Sequence, residues 1–201
     1  MSSGSGRHQK PGSGTATNAA PAPPVYNNPL RGVTGLFPER IDMGVDFGGS
    51  GPVYALGDAV ITRASSAYPG WPGGGWVTYR LSDGPAAGLM VYVAEDVTPD
   101  VTVGQHVTSS TVVATMYNGG AGIETGWAQP DGSSAESQLP VAGPVGGNGP
   151  FPTWVGMSFE RLLVILGVAK APNYGQAPFG LLPPGYADTW AMQRVAAAAG
   201  H

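Results

Sequence analysis

The sequence predicts a mainly β fold: an antiparallel, barrel-sandwich-like domain with an extended N-terminal arm before it and one or two C-terminal helices after it. Three observations carry this expectation. Short runs rich in Val, Ile, Thr, Tyr and Trp recur through the middle of the chain, punctuated by Gly, Pro, Asn and Asp. No helical apolar period intervenes between them, which argues against a βαβ arrangement. The 33 glycines and 20 prolines exceed a quarter of the 201 residues and gather at the ends and at turns, as a turn-dense β fold requires.

In order along the chain, residues 1–31 are a low-complexity stretch of Gly, Ser, Thr, Asn, Ala and Pro with almost nothing to bury. Such a segment is expected to be an extended or disordered arm. The β domain is expected over 32–128, with strands near 41–47, 52–55, 58–64, 76–82, 89–95, 101–103, 111–117 and 122–128. Gly48-Gly49-Ser50-Gly51, Pro69 to Gly75 and Ser82-Asp83-Gly84-Pro85 read as the turns between them. A Gly- and Pro-rich connector spans 129–152, and a helical extension occupies 153–201. Its first helix is capped by Thr153, carries Val155, Phe159, Leu162, Leu163 and Leu166 on one face, and stops at Gly167. That apolar face must be buried, against the outside of the β domain or against a partner subunit. A second helix is expected from Pro184 to Ala199, with a weaker apolar stripe.

Composition narrows the function. A hydrophobic fraction of 42% is ample for a core. With only 11% charged residues and a net charge of -4, there is no basic field to hold nucleic acid. The absence of cysteine removes disulfides, thiolate nucleophiles and cysteine-based zinc sites. No run approaches the roughly 18 apolar residues needed to span a bilayer, and the N-terminal residues show no secretory h-region. The expectation is a soluble protein, cytoplasmic before release or associated with a particle. Lys10 and Lys170 are the only lysines, and neither stands at the hairpin tip that a biotin or lipoate carrier needs.

The first candidate for a site is Ile41-Asp42-Met43-Gly44-Val45-Asp46-Phe47, where two aspartates interrupt an apolar strand pattern. With Pro52-Val53-Tyr54-Ala55, Gly74-Gly75-Trp76-Val77, Val91-Tyr92-Val93 and Val103-Gly104-Gln105-His106-Val107 in the same order, this stretch resembles the lysostaphin-type zinc endopeptidases over residues 39–128. The resemblance implies a duplicated hybrid motif and a peptidoglycan-cleaving ancestry. In that family, the His and Asp of a His-x-Gly-x-Asp segment and the second His of a His-x-His strand hold zinc, which activates a water. Here Asp42 stands where the first His would, and Asp46 matches the family's Asp. On the last strand, strict alternation buries Ile123, Thr125 and Trp127 together. That register places Glu124 at the second His position and Gly122 at the first, whereas a one-residue shift would place Thr125 there.

The missing histidines are not replaced. His8 lies in the arm, His106 in a Gly-Gln turn and His201 at the last residue. No zinc cofactor and no catalytic residue are therefore expected. The degenerate groove would hold Asp42, Asp46, Glu95 and Glu124. Oxygen-only donors suit Ca²⁺ or Mg²⁺ better than zinc, and a carboxylate pair can also act as general acid and base on a glycan. The plainer reading of these acids is that they are solvated or bond locally at turns. Trp71 and Trp76 flank the Pro-Gly loop, where rings can stack on sugars. Alternation along 76–79 puts at least one ring of that neighbourhood in the core.

The functional expectation is a non-catalytic, peptidase-like structural or binding module, part of a phage or phage-tail-like particle or of cell-wall recognition. Its expected partners are other subunits, met through the N-terminal arm and the C-terminal helix, and peptidoglycan. The alternative is a peptidoglycan hydrolase with a rearranged, carboxylate-based site.

Overall fold

The computed structural model describes residues 1, 26–67, 73–135 and 152–190. Nine strands, β1 (Thr34–Ile41), β2 (Val45–Tyr54), β3 (Ala59–Ser65), β4 (Gly75–Leu81), β5 (Met90–Glu95), β6 (Val97–Pro99), β7 (His106–Val107), β8 (Val112–Met116) and β9 (Ile123–Ala128), precede one helix, α1 (Trp154–Ile165). Every strand pair is antiparallel, in the order β6-β8-β2-β9-β5-β4-β3-β7, with β1 added beside β2. Among the described residues the fold is thus a mainly β, curled antiparallel sheet with one C-terminal helix.

β2 organises the sheet because it works in two places. Its first half, Val45 to Phe47, lies between β1 and β9, and its second half, Gly51 to Tyr54, pairs with β8. The bend between the halves falls in Gly48-Gly49-Ser50-Gly51, so this run is not the expected turn but the interior of a ten-residue strand. Gly49 and Gly51 take φ of +142° and +124°, and a Cβ on Gly49 would lie 2.6 Å from the Val33 side chain. Glycine is what lets one strand serve both parts of the sheet.

β1 is a second correction, since a strand was expected only from Ile41. Its Pro38 lacks an N–H, which an edge strand tolerates, and among the described residues β2 is its one strand neighbour. The strand expected at 101–103 is instead a turn closed by the Gln105 side chain, which accepts a bond from the Thr102 N–H.

The core has two parts. Val45, Phe47, Ile61, Val77, Tyr79, Val91, Val93, Ile123 and Trp127 point to one side of the sheet, into the main core. Trp76, Met90, Tyr92, Ala94 and Ala128 form a smaller cluster of their own. The central strands β4, β5 and β9 are therefore buried on both faces, which explains their nearly continuous apolar sequences. Helix α1 covers the main core with Val155, Phe159, Leu162 and Leu163. Phe159 meets Trp127 edge to face at 4.9 Å.

Thr153 caps α1 as expected, its side chain accepting the Gly156 N–H, and Gly167 follows the helix at a φ of +87°. The inner face of α1 is thus occupied by its own sheet rather than by another subunit. The arm boundary also moves. Tyr26 and Leu30, at 1% exposure each, are core residues, and the Tyr26 hydroxyl donates to the Asp83 carbonyl while accepting the Ala86 N–H. The second helix does not begin at Pro184: residues 184–190 form a turn and a bend joined by irregular chain, and the remainder of that expectation lies outside the described residues. Gly185, at a φ of +94°, breaks the helical path. Ser158 then holds the segment by donating to the Ala187 carbonyl, and Trp190 donates its Nε1 proton to the Ser158 carbonyl.

Candidate functional site: a buried carboxylate cluster

Strand register builds the cluster. Arg40 on β1 stands opposite Asp46 on β2, Asp46 opposite Glu124 on β9, Glu124 opposite Ala94 on β5, and Ala94 opposite Trp76 on β4. One row of side chains thus crosses five strands, with its charged groups at the β1 end. Asp42 enters from the β1–β2 turn. Its carboxylate accepts the Gly44 N–H at 3.3 Å, and its carbonyl accepts both the N–H and the hydroxyl of Thr153. The start of α1 therefore holds this turn in place. One oxygen from each of Asp42, Asp46 and Glu124 lies within 4.8 Å of the others.

Glycine at position 44 is a steric requirement. A Cβ there would lie 2.3 Å from the Tyr92 hydroxyl, 2.6 Å from the Thr125 carbonyl and 2.9 Å from Glu124 Oε1. Tyr92, fully buried, donates its hydroxyl proton to Glu124 Oε1. The Arg40 guanidinium pairs with Asp46 through Nε and with Asp42 through Nη2 at 3.2 Å.

These surroundings set the protonation. Burial, followed by the charges of Asp42 and Asp46, pushes the Glu124 carboxyl well above its ordinary range. Burial and then Asp42 raise Asp46 from 3.8 to about 7, against the pull of Arg40. Burial acts most strongly against the Arg40 charge, but Asp46, Asp42 and Glu124 together outweigh it and raise the guanidinium. Tyr92 is raised by its burial and by the neighbouring Glu124. Burial thus favours the protonated form of Glu124, while the Arg40 guanidinium stands against Asp42 and Asp46.

Glu95 stands at the margin. It ends β5 opposite Ile123 at a φ of +79°, is half-buried, and is raised from 4.5 to about 7 chiefly by burial. It is not among the three acids that share one space. His106 is exposed on β7, beside β3 at the opposite end of the strand order from β2. His8 and His201 lie outside the described residues.

A zinc centre does not fit this donor set, which is carboxylate only among the described residues. Oxygen donors suit Ca²⁺ or Mg²⁺ chemically, but Arg40 already supplies positive charge to two of the three acids. The sugar-stacking expectation at Trp76 is corrected: the ring is 2% exposed. The turn after β9 closes over it, so that a Cβ on Gly132 would lie 2.4 Å from the indole. Trp71 lies outside the described residues.

Arg40 and Tyr92 are the members of the cluster that sequence reasoning did not place in the site. Arg40 falls in the strand that Pro38 disguised. The odd polar group in the apolar run of β5 was a usable signal for Tyr92.

No family model matches the sequence, and comparison with curated proteins finds no match. Among solved structures the chain is similar to pseudoalterin, described as a novel M23 metalloprotease from the deep sea, with 15% identity, a TM-score of 0.39 and coverage of 63% of this chain and 84% of that chain.

Proposed function

We propose that this chain is a non-catalytic, lysostaphin-peptidase-like module that serves as a structural or binding part of a phage or phage-tail-like particle or of cell-wall recognition. The observation that carries the loss of catalysis is the placement of Arg40 and Tyr92. The guanidinium pairs with Asp42 and Asp46, and the phenol donates to Glu124. Zinc hydrolysis needs an open coordination position and a bound water. In this cluster a protein cation stands beside two of the acids, and Asp46 and Glu124 are only 5% and 2% exposed. The particle role draws on the low surface charge and on the arm-like composition before Tyr26.

The alternative, a hydrolase using carboxylates alone, draws on Asp46, whose rise to about 7 suits general acid or base work near neutrality. A zymogram on purified peptidoglycan, with and without Zn²⁺, Ca²⁺ or Mg²⁺, separates the two. No clearing is expected under any condition. Clearing that disappears in Asp46→Ala overturns the non-catalytic reading. Co-sedimentation of the full chain with peptidoglycan then distinguishes cell-wall recognition from a role confined to a particle.

A further inference from the structure

We propose that Asn118, in the loop between β8 and β9, is a site of chemical self-modification. The amide nitrogen of Gly119 attacks its side chain, and water then converts the asparagine to a mixture of aspartate and isoaspartate. The site is separate from the carboxylate cluster and does not depend on the role assigned there.

The step needs a side-chain carbonyl, the main-chain nitrogen of the next residue and no crowding between them. The Gly119 nitrogen bonds to Asn118 Cγ, and the side-chain nitrogen leaves as ammonia with the proton that Gly119 gives up. Water opens the resulting succinimide ring at either carbonyl. One opening gives aspartate, and the other routes the main chain through the former side chain as isoaspartate.

Asn118 and Gly119 form an exposed turn. Gly119 takes a φ of +81°, and a Cβ on it would meet nothing within 4 Å, so glycine leaves the attacking nitrogen uncrowded. Neither the Asn118 side chain nor the Gly119 N–H makes a hydrogen bond among the described residues. The other described asparagines are held. Asn27 Oδ1 accepts the Asn28 N–H, Asn28 Oδ1 the Leu30 N–H, and Asn173 Oδ1 the Gly175 N–H. Asp131 also precedes a glycine, but Ser133 holds its carboxylate and the Gln129 carbonyl holds the Gly132 N–H.

The loop is pinned on both sides of the reactive pair. The Tyr117 N–H donates to the Asp96 carbonyl and the Ala121 N–H to the Asp96 carboxylate. A Cβ on Gly120 would lie 2.7 Å from Asp96 Oδ2. An isoaspartate lengthens the main chain between these anchors, and either product adds a carboxylate to a loop already closed on Asp96. Both changes loosen the two bonds.

The test holds the full chain in mildly alkaline buffer, which favours the attacking nitrogen. Each asparagine is followed by peptide mapping with fragment-ion sequencing, which separates Asn118 from Asn148 and isoaspartate from aspartate. Asn118 is expected to convert within about tenfold of its rate in a synthetic peptide of residues 115–121, and at least about tenfold faster than Asn27, Asn28 or Asn173, the effect of one hydrogen bond on the barrier. Gly119→Ala should slow the conversion about tenfold, through the crowding and backbone preference of a Cβ. Asn118→Gln should abolish it, and the converted native chain should exchange its Tyr117 and Ala121 amides faster than this variant does. An Asn118 that survives while the peptide converts, a rate no faster than that of Asn173, or a rate unchanged by Gly119→Ala overturns the proposal. Unchanged amide exchange after conversion overturns the link to Asp96.

Discussion

At position 44 the absence of a side chain matters as much as the charges around it. Gly44 lets the β1–β2 turn approach the Tyr92 hydroxyl and Glu124 so closely that a methyl group has no room. Gly44→Ala is expected to destabilise the protein by about 1–3 kcal/mol, the usual cost of overpacking, with the loss read from urea denaturation. Arg40 acts in the opposite sense, by supplying charge. Removing one partner of a fully buried pair costs about 3–5 kcal/mol. The Arg40 side chain is 41% exposed and so is screened, which places the effect of Arg40→Met below that range. That variant should also lower the stability more at pH 8 than at pH 5, because the acids it leaves behind are then ionised. Equal losses at the two pH values would argue against Arg40 as the charge partner.

Among the elements, α1 and the segment after it decide whether the cluster is held in place. Thr153 serves two functions, since it caps the helix and donates to the Asp42 carbonyl. A cap alone is worth about 1 kcal/mol. Thr153→Ala should exceed that figure, and its signature beyond thermal stability is faster amide exchange at Gly44, whose N–H bonds to Asp42. Trp190 ties the end of the described chain to α1 through the Ser158 carbonyl and packs 5.3 Å from Trp127. Trp190→Ala should cost about 3–5 kcal/mol, as buried aromatic truncations do, measured by the shift in the denaturation midpoint. A cost under 1 kcal/mol in that measurement would mean that the segment lies loosely on the helix.

The whole molecule should feel the cluster through pH. Asp46, Glu95 and Glu124 are acids whose folded pKa lies above the ordinary value, so the folded chain holds their protons more tightly than the unfolded chain does. The contribution of Asp46 and Glu95 to stability is complete below their ordinary 3.8 and 4.5, and is lost as pH rises through about 7. Each pKa unit corresponds to about 1.4 kcal/mol. The Tm is therefore expected to be higher at pH 5 than at pH 8. Glu124→Gln, which cannot ionise, should flatten the slope and raise stability at pH 8 relative to the native chain. A native Tm independent of pH between 5 and 8 would contradict the assigned protonation.

Local pattern was sufficient for much of this. The alternation of Ile123, Thr125 and Trp127 put Glu124 on the opposite face, and that is the face on which it meets Asp42 and Asp46. The cap and apolar stripe of α1 were equally legible, because helix ends and faces depend on residues within a few positions of one another. Other features needed the tertiary structure. Whether Gly48 to Gly51 turns the chain or bends a strand depends on β8 and β9 as partners, since glycine permits either. Trp76 looked available for stacking until the distant turn at Gly132 closed over it. The Asp42 and Asp46 spacing marked a site in the sequence by itself. That Arg40 and Tyr92 are its partners was decided by cross-strand register, which pairs residues without regard to their separation along the chain.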